Sequence, residues 1–204
     1  MTSIDLPEPQ ISLEPRLMST IKNRESMRSF GESPLILPEL ANLLWAGQGT
    51  THATTGKRLR TAPSSGAHHP YTLYVNAHAS ACLELDTGVY SYSPARHRLS
   101  LHHEGPTTTV EDVCQGQQAI LKSKLVILLA ADFADTRDEF PDLGDQFVYT
   151  EGGHIAQNIL LTATAMDLAA CPIGLFPTEE MNNAFALPDR HDAVYLVALG
   201  SMPV

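Results

Sequence analysis

The stretch EGGHIAQNILLTATAMDLAACPIGLF, Glu151 to Phe176, decides the fold. Ile155, Ile159, Thr162 and Met166 recur at helical spacing, with Ala156, Leu160 and Ala163 beside them. Nearly one whole side is therefore apolar or small, as a core-facing helix requires. Gly152 and Gly153 stand at its expected start, where a backbone can approach another group closely. Asp167, Pro172 and Gly174 then break the pattern and re-aim the chain into a short apolar, strand-like turn. A helix this apolar, with His154, Gln157 and Asn158 clustered in its first turns, is expected to be a central or interface element.

Working outward, Lys124–Ala131 is a continuous apolar run suited to a central strand, and Ala193–Gly200 reads as a last buried strand. Tyr71–Ala77 alternates as a strand, and Val89–Tyr92 with Arg98–His102 forms an expected hairpin around Ser93-Pro94. Helices are expected over Arg16–Arg24, from Pro38 to a stop at Gly47, over Thr109–Lys122 and over Thr178–Phe185. Gln48–Lys57, rich in Gly and Thr, is expected as a mobile loop, and Ala134–Gln146 as an acidic, irregular surface segment. Pro7, Pro9 and Pro15 make residues 1–15 an extended arm ahead of a single domain, 16–204. Strands and helices mix without a regular βαβ alternation, and no glycine-rich dinucleotide fingerprint follows a strand. That favours an α+β fold.

Composition narrows the function classes. With 13 Lys and Arg against 23 Asp and Glu the formal charge is -10, which disfavours nucleic-acid binding. The apolar run Leu125–Ala131 is far too short to span a bilayer, and MTSIDLPEPQ is no signal-peptide core. Cys82, Cys114 and Cys171 are an odd, widely spaced set, expected as reduced and mostly buried thiols in a soluble cytoplasmic protein.

Two motifs could carry chemistry. Arg24 and Arg28 flank Ser26, and two cations four residues apart can converge on one phosphate; a solvated helix end is the plainer alternative. In Arg60-Thr-Ala-Pro63-Ser64-Ser65-Gly66, Pro63 fixes the chain while hydroxyls and backbone N–H groups face one side. Such a turn can bind the edge of a planar heterocycle, or Ser64 or Ser65 can simply close the turn ahead of the strand. His68-His69 and His102-His103 lack any metal-ligand spacing, so no metal is expected. His68 and His69 are better candidates for substrate contact or proton supply. No G-x-S-x-G elbow is present.

In this order, Arg24-x-Ser26-x-Arg28, Pro63-Ser64-Ser65 and Pro172-Ile173-Gly174-x-Phe176 resemble the FMN-dependent nitroreductase family across almost the whole chain. The longer wording, including Leu43-Leu44-Trp45-Ala46, Gly88-Val-Tyr-Ser-Tyr and Gly153-His154-x-Ala-Gln157-Asn158, resembles its SagB-like dehydrogenase branch. The resemblance implies a mixed, mostly antiparallel sheet flanked by helices, with the long central helix at a homodimer interface. It also implies ping-pong transfer of reducing equivalents from NAD(P)H through FMN to an electron-poor small molecule. Arg24, Ser26 and Arg28 match the phosphate- and flavin-contacting motif, and Pro63, Ser64 and Ser65 match the turn that reaches FMN from the other subunit. Gln117 matches a polar residue near the ring edge, and Pro172, Ile173 and Gly174 match the segment packed over the ring. Alternatives from the same resemblance are oxidation of a peptide-derived or metabolite substrate, and a flavin-binding protein without turnover.

Three departures stand out. Ala67 takes a position where the family often has asparagine. The chain ends Gly200-Ser-Met-Pro-Val204 without the usual basic phosphate ligands, leaving Arg60, Lys57 or Arg58 as substitutes. Glu139-Phe140 aligns with the Lys-Tyr pair that SagB-like azoline oxidases use for proton transfer, which leaves Tyr149 or His154 as a different acid or base.

Overall fold

The apolar run at the middle of the chain becomes β7 (Leu125–Ala131), every residue of which is buried. Leu125, Ile127 and Leu129 enter one core, whereas Val126, Leu128 and Ala130 enter another on the opposite face. A strand covered on both sides needs apolar residues at every position, because successive side chains alternate between faces. The computed structural model describes residues 2–10, 17–54, 57–104, 109–114 and 116–203, and places β7 in the interior of a seven-stranded sheet.

The other strands are β1 (Ser3–Asp5), β4 (Tyr71–Ala77), β5 (Gly88–Ser93), β6 (Arg98–Glu104), β8 (Leu168–Ile173) and β9 (Asp192–Ser201). Their order is β1-β6-β5-β4-β7-β9-β8, and each neighbouring pair is antiparallel. Helices α2 (Leu37–Gln48) and α6 (Gly144–Ala165) cover one face through Leu40, Leu43, Leu44, Ile155 and Ile159. The second face is covered by α3 (Thr109–Val113), α4 (Gln118–Lys122) and α7 (Thr178–Ala184). The fold is thus α+β, a mostly antiparallel sheet flanked by helices, as the sequence implies. All three thiols are free and buried, and burial pushes Cys82 and Cys114 up to about 11. They are neutral packing groups at ordinary pH.

Helix α6 begins seven residues earlier than its sequence suggests, at Gly144, and Gly152 lies mid-helix. A glycine there costs about 1 kcal/mol of helix propensity. Burying Ile155, Ile159 and Leu160 at about 1.5–3 kcal/mol each outweighs that. The glycine has a specific use: a Cβ at Gly152 would lie 2.4 Å from the Tyr71 hydroxyl, which donates to the Val148 carbonyl at 2.9 Å. Gly153 has no such neighbour.

Several local expectations are corrected. Gln48–Lys57 is not a loop throughout: β2 (Thr50–Thr54) pairs antiparallel with β3 (Lys57–Arg60), while residues 55–56 lie outside the described part. Ala134–Gln146 is ordered as α5 (Ala134–Glu139) and the start of α6, because Arg137 bridges to Asp145 at 2.6 Å and lies over the Phe133 ring. The helix expected over Thr109–Lys122 is split, with Gly116 at φ 71° between α3 and α4. The N-terminal arm contributes an edge strand, β1, paired with β6; residues 11–15 lie outside the described part. Helix α1 (Leu17–Asn23) matches its expected span within a residue at each end.

Candidate functional site

Arg24 closes the last turn of α1, its N–H donating to the Thr20 carbonyl at 2.9 Å, so the helix-end alternative holds at that residue, while the rest of the segment leaves the helix. That part passes the free edge of β8, held by Met27 N–H donating to the Ala170 carbonyl at 2.9 Å. Arg24 and Ser26 are half-buried and Arg28 is exposed. Among the described residues neither arginine has a carboxylate within ion-pair distance, although the chain carries an excess of acids. Two unpaired guanidinium groups with a hydroxyl between them suit a dianionic phosphate. Pro172 and Ile173 end the same strand, and Gly174 follows. Gln117 reaches this segment and donates from Nε2 to the Leu175 carbonyl at 2.7 Å. A cavity of 390 Å³ opens there, between Cys114 and Gln117 on one side and Leu175 and Phe176 on the other.

Pro63, Ser64 and Ser65 enter a tight 3-10 turn ahead of β4. The Ser64 hydroxyl accepts from His69 N–H at 2.9 Å, so one serine does close the turn ahead of the strand, although Ser64 makes no side-chain cap to the 3-10 turn itself. Ala67 and His69 hold left-handed backbone, φ 60° and 52°. Asparagine tolerates that region better than alanine, so Ala67 is a strained choice there. His68 pairs with Glu139, Nε2 to Oε2 at 2.5 Å, and Phe140 packs edge-on against Phe147. The Glu139-Phe140 departure therefore lies against this turn, with its carboxylate committed to His68. His68 and His69 lie at the end of the turn, ahead of β4.

Beneath the turn lies a residue that sequence reasoning passed over. Glu151, on α6, is 3% exposed, and its Oε1 has no hydrogen-bond partner among the described residues. Burial pushes its carboxyl above the usual range, while Ser64, Gln48, Arg60 and His68 pull the other way. Arg60 donates to Gln48 Oε1, and burial lowers the guanidinium. Arg60 is thereby spent under the turn rather than beside Arg24; of the side chains of Lys57 and Arg58 nothing is described. The signal for Glu151 was available: it precedes Ile155 and Ile159 at helical spacing, which puts a carboxylate on the core-facing stripe.

The two groups of residues sit at different levels of the sheet. The turn leads into Tyr71, which pairs with Ala131 and through it with Asp192. Met27 instead joins Ala170, which pairs with Leu199 and through Leu125 lies level with Ala77, and Ile173 pairs with Leu196. Strands β4 and β8 are three neighbours apart, roughly 14 Å at ordinary spacing. Cavities keep them separate as well. Glu151, Thr150 and His154 line one with Pro63, Ser64 and Ser65, whereas Tyr149 and Phe133 line another with Gly174. His154 and Tyr149 thus face different halves. No group of three or more His, Cys, Asp or Glu among the described residues is arranged to hold a metal.

Comparison with known proteins fits this architecture. The nitroreductase family pattern matches residues 21–201. The chain belongs to the nitroreductase family. A protein of Methanocaldococcus jannaschii named as a nitroreductase is 31% identical over 182 residues, 86% of this chain and 87% of that one. A nitroreductase structure from Ralstonia eutropha superposes with TM-score 0.84 at 26% identity, covering 99% of this chain and 90% of the other. A chain of the Escherichia coli microcin synthetase complex shares the fold alone, with TM-score 0.74 at 17% identity over 98% of this chain and 78% of that one. Nitroreductase-family membership makes the protein an oxidoreductase in its general class.

Proposed function

We propose that the protein is an FMN-dependent oxidoreductase that moves reducing equivalents from NAD(P)H to an electron-poor small molecule. The observation that carries this reading is the two arginines around Ser26, without a carboxylate partner among the described residues and stitched to the strand that ends in Pro172-Ile173. Arg24, Ser26 and Arg28 would hold the phosphate, Pro172, Ile173 and Gly174 would pack the ring, and Gln117 would fix the loop beside it. Bound FMN would supply the two-electron chemistry, accepting a hydride from the nicotinamide and passing electrons onward. This chain's residues bind and orient, and no separate nucleophile is needed.

The Pro63–Ser65 turn would complete the site from a second copy, making a homodimer with α6 at the interface. Support comes from the separation of the two halves in one chain and from exposed apolar groups: Leu17, Met18 and Ile21 on α1, Leu143 before α6 and Leu175 after β8. Commitment of Glu139 to His68 favours reduction over a SagB-like oxidation, because that carboxylate does not replace a lysine in proton transfer. Among the described residues no helix is long and apolar enough to cross a membrane, and the three free thiols suit the cytoplasm.

The test is the absorption spectrum of the purified protein, followed by anaerobic addition of NADH or NADPH. A bound flavin band that bleaches on addition is expected. A protein that stays colourless after soaking with FMN overturns the reading, and a band that neither nucleotide bleaches reduces it to a flavin carrier.

A further inference from the structure

We infer that Glu151 is the positioning residue of the Pro63–Ser65 turn: it holds the turn from below through Ser64, leaving Ser65 to face the ligand. The inference rests on the flavin reading above and assigns the two serines different work. A serine hydroxyl has one hydrogen to donate and lone pairs to accept with. Ser64 Oγ accepts from His69 N–H at 2.9 Å, so its position is fixed from within the turn. Its remaining hydrogen is free to point at the Glu151 carboxylate, which lines the same cavity from below, and Ser64 is among the groups that favour the charged form of that carboxyl. Ser65 has no such inward partner among the described residues and lines the same cavity, of 210 Å³.

Glu151 is well placed to hold the turn because it is itself held. It projects from the 22-residue α6, on the stripe that carries Ile155 and Ile159 into the core. The groups facing it come from every neighbouring element: Gln48 at the end of α2, Arg60 on β3, Ser64 and His68 in the turn, and Tyr71 at the start of β4. Arg60 is tied to Gln48, so one cation stands behind the carboxylate at the distance of an amide. Among the described residues the network is incompletely paired, since Glu151 Oε1 and Gln48 Nε2 both lack partners. Buried polar groups left in that state are costly, so a hydroxyl that turns its hydrogen toward the carboxylate lowers that cost.

Ionised, Glu151 can only accept, which draws the Ser64 hydrogen inward and fixes the turn. Protonated, it can donate instead, and the grip on Ser64 is lost. Flavin affinity of the wild-type protein is therefore expected to fall as pH drops through the titration of this carboxyl.

The experiment is FMN titration, by quenching of flavin fluorescence, of wild type, Glu151→Gln, Ser64→Ala, the double variant and Ser65→Ala across pH. Glu151→Gln and Ser64→Ala should each weaken binding several-fold, and the double variant should be no worse than the worse single. Ser65→Ala should weaken it by roughly tenfold, the loss of about one hydrogen bond, and should multiply with Glu151→Gln. The ratio of wild-type to Glu151→Gln affinity should fall toward low pH, the phosphate's own titration cancelling in the ratio. Multiplicative effects of Glu151→Gln and Ser64→Ala, or a pH-independent ratio, would overturn the assignment. The same cycle read as thermal stability of flavin-free protein separates the two layers. If FMN does not bind at all, the proposed function fails, while non-additive melting temperatures for Glu151 and Ser64 still support the positioning role and additive ones overturn it.

Discussion

The Arg24–Arg28 segment and the Pro63–Ser65 turn are two halves of one proposed site, built on opposite principles. The first sits on a sheet edge with its cations half-buried or exposed and, among the described residues, without a carboxylate partner, prepared by charge. The second is fixed by geometry: left-handed backbone at Ala67 and His69, a hydroxyl spent on its own loop and a carboxylate on either side, Glu139 at His68 and Glu151 at Ser64. A charge clamp tolerates movement and pulls on any phosphate, whereas a rigid turn selects shape. The comparison teaches that affinity should reside mainly in the edge segment and ring orientation in the turn.

The largest effect that sharpens this contrast is expected from removing the clamp. Arg24→Ala with Arg28→Ala should weaken FMN by on the order of a hundredfold or more, since charge-assisted hydrogen bonds contribute about 1.5–3 kcal/mol each. Riboflavin, which lacks the phosphate, should bind wild type and variant alike in calorimetric titration. Equal losses for both ligands would break the assignment of charge to the edge.

Next is the support beneath the turn. Gly152→Ala would drive a methyl against the Tyr71 hydroxyl and should lower stability by about 1–3 kcal/mol, seen as a fall in denaturation midpoint. An unchanged midpoint would mean that α6 and β4 can separate freely.

Glu151 gives a pH-dependent difference. Its folded-state carboxyl titrates above the ordinary value of 4.5, so the stability it contributes is complete below 4.5 and is lost as pH rises through the folded value. Glu151→Gln does not titrate, so its melting temperature should gain on wild type as pH rises across that window. A gap that narrows with rising pH would show that the carboxylate is better solvated than its burial indicates.

The smallest effect concerns strain in the turn. Ala67→Gly relieves a left-handed alanine, worth about 1 kcal/mol, and should raise the melting temperature by roughly 2–4 °C. A fall would show that the turn is held by its neighbours regardless of backbone preference.

Long periodic elements were legible in the sequence and junctions were not. The β7 run, the β4 strand and the apolar stripe of α6 follow from burial patterns that repeat over many residues. Ala134–Gln146 failed because its order comes from Arg137 on Phe133 and Asp145, pairings that leave no periodic trace. The β2–β3 hairpin failed for a related reason: a glycine- and threonine-rich composition fits a loop or a strand, and pairing decides. Motif order brought Arg24, Ser26 and Arg28 together with Pro172–Gly174. It did not reveal that Arg60 is spent on Gln48, or that Glu139 holds His68, since both depend on contacts between distant elements.

The central claim is that one flavin is held by the edge segment of one copy and the turn of another. Mixing a clamp-deficient protein (Arg24→Ala, Arg28→Ala) with a turn-deficient one (Ser65→Ala, Pro63→Gly), after exchange of subunits, tests it most directly. Each mixed dimer then has one site with both defects and one with none. The account predicts that wild-type FMN affinity returns in a fraction of the sites, although neither parent shows it. Mixed dimers that form but recover no tight FMN binding would contradict it.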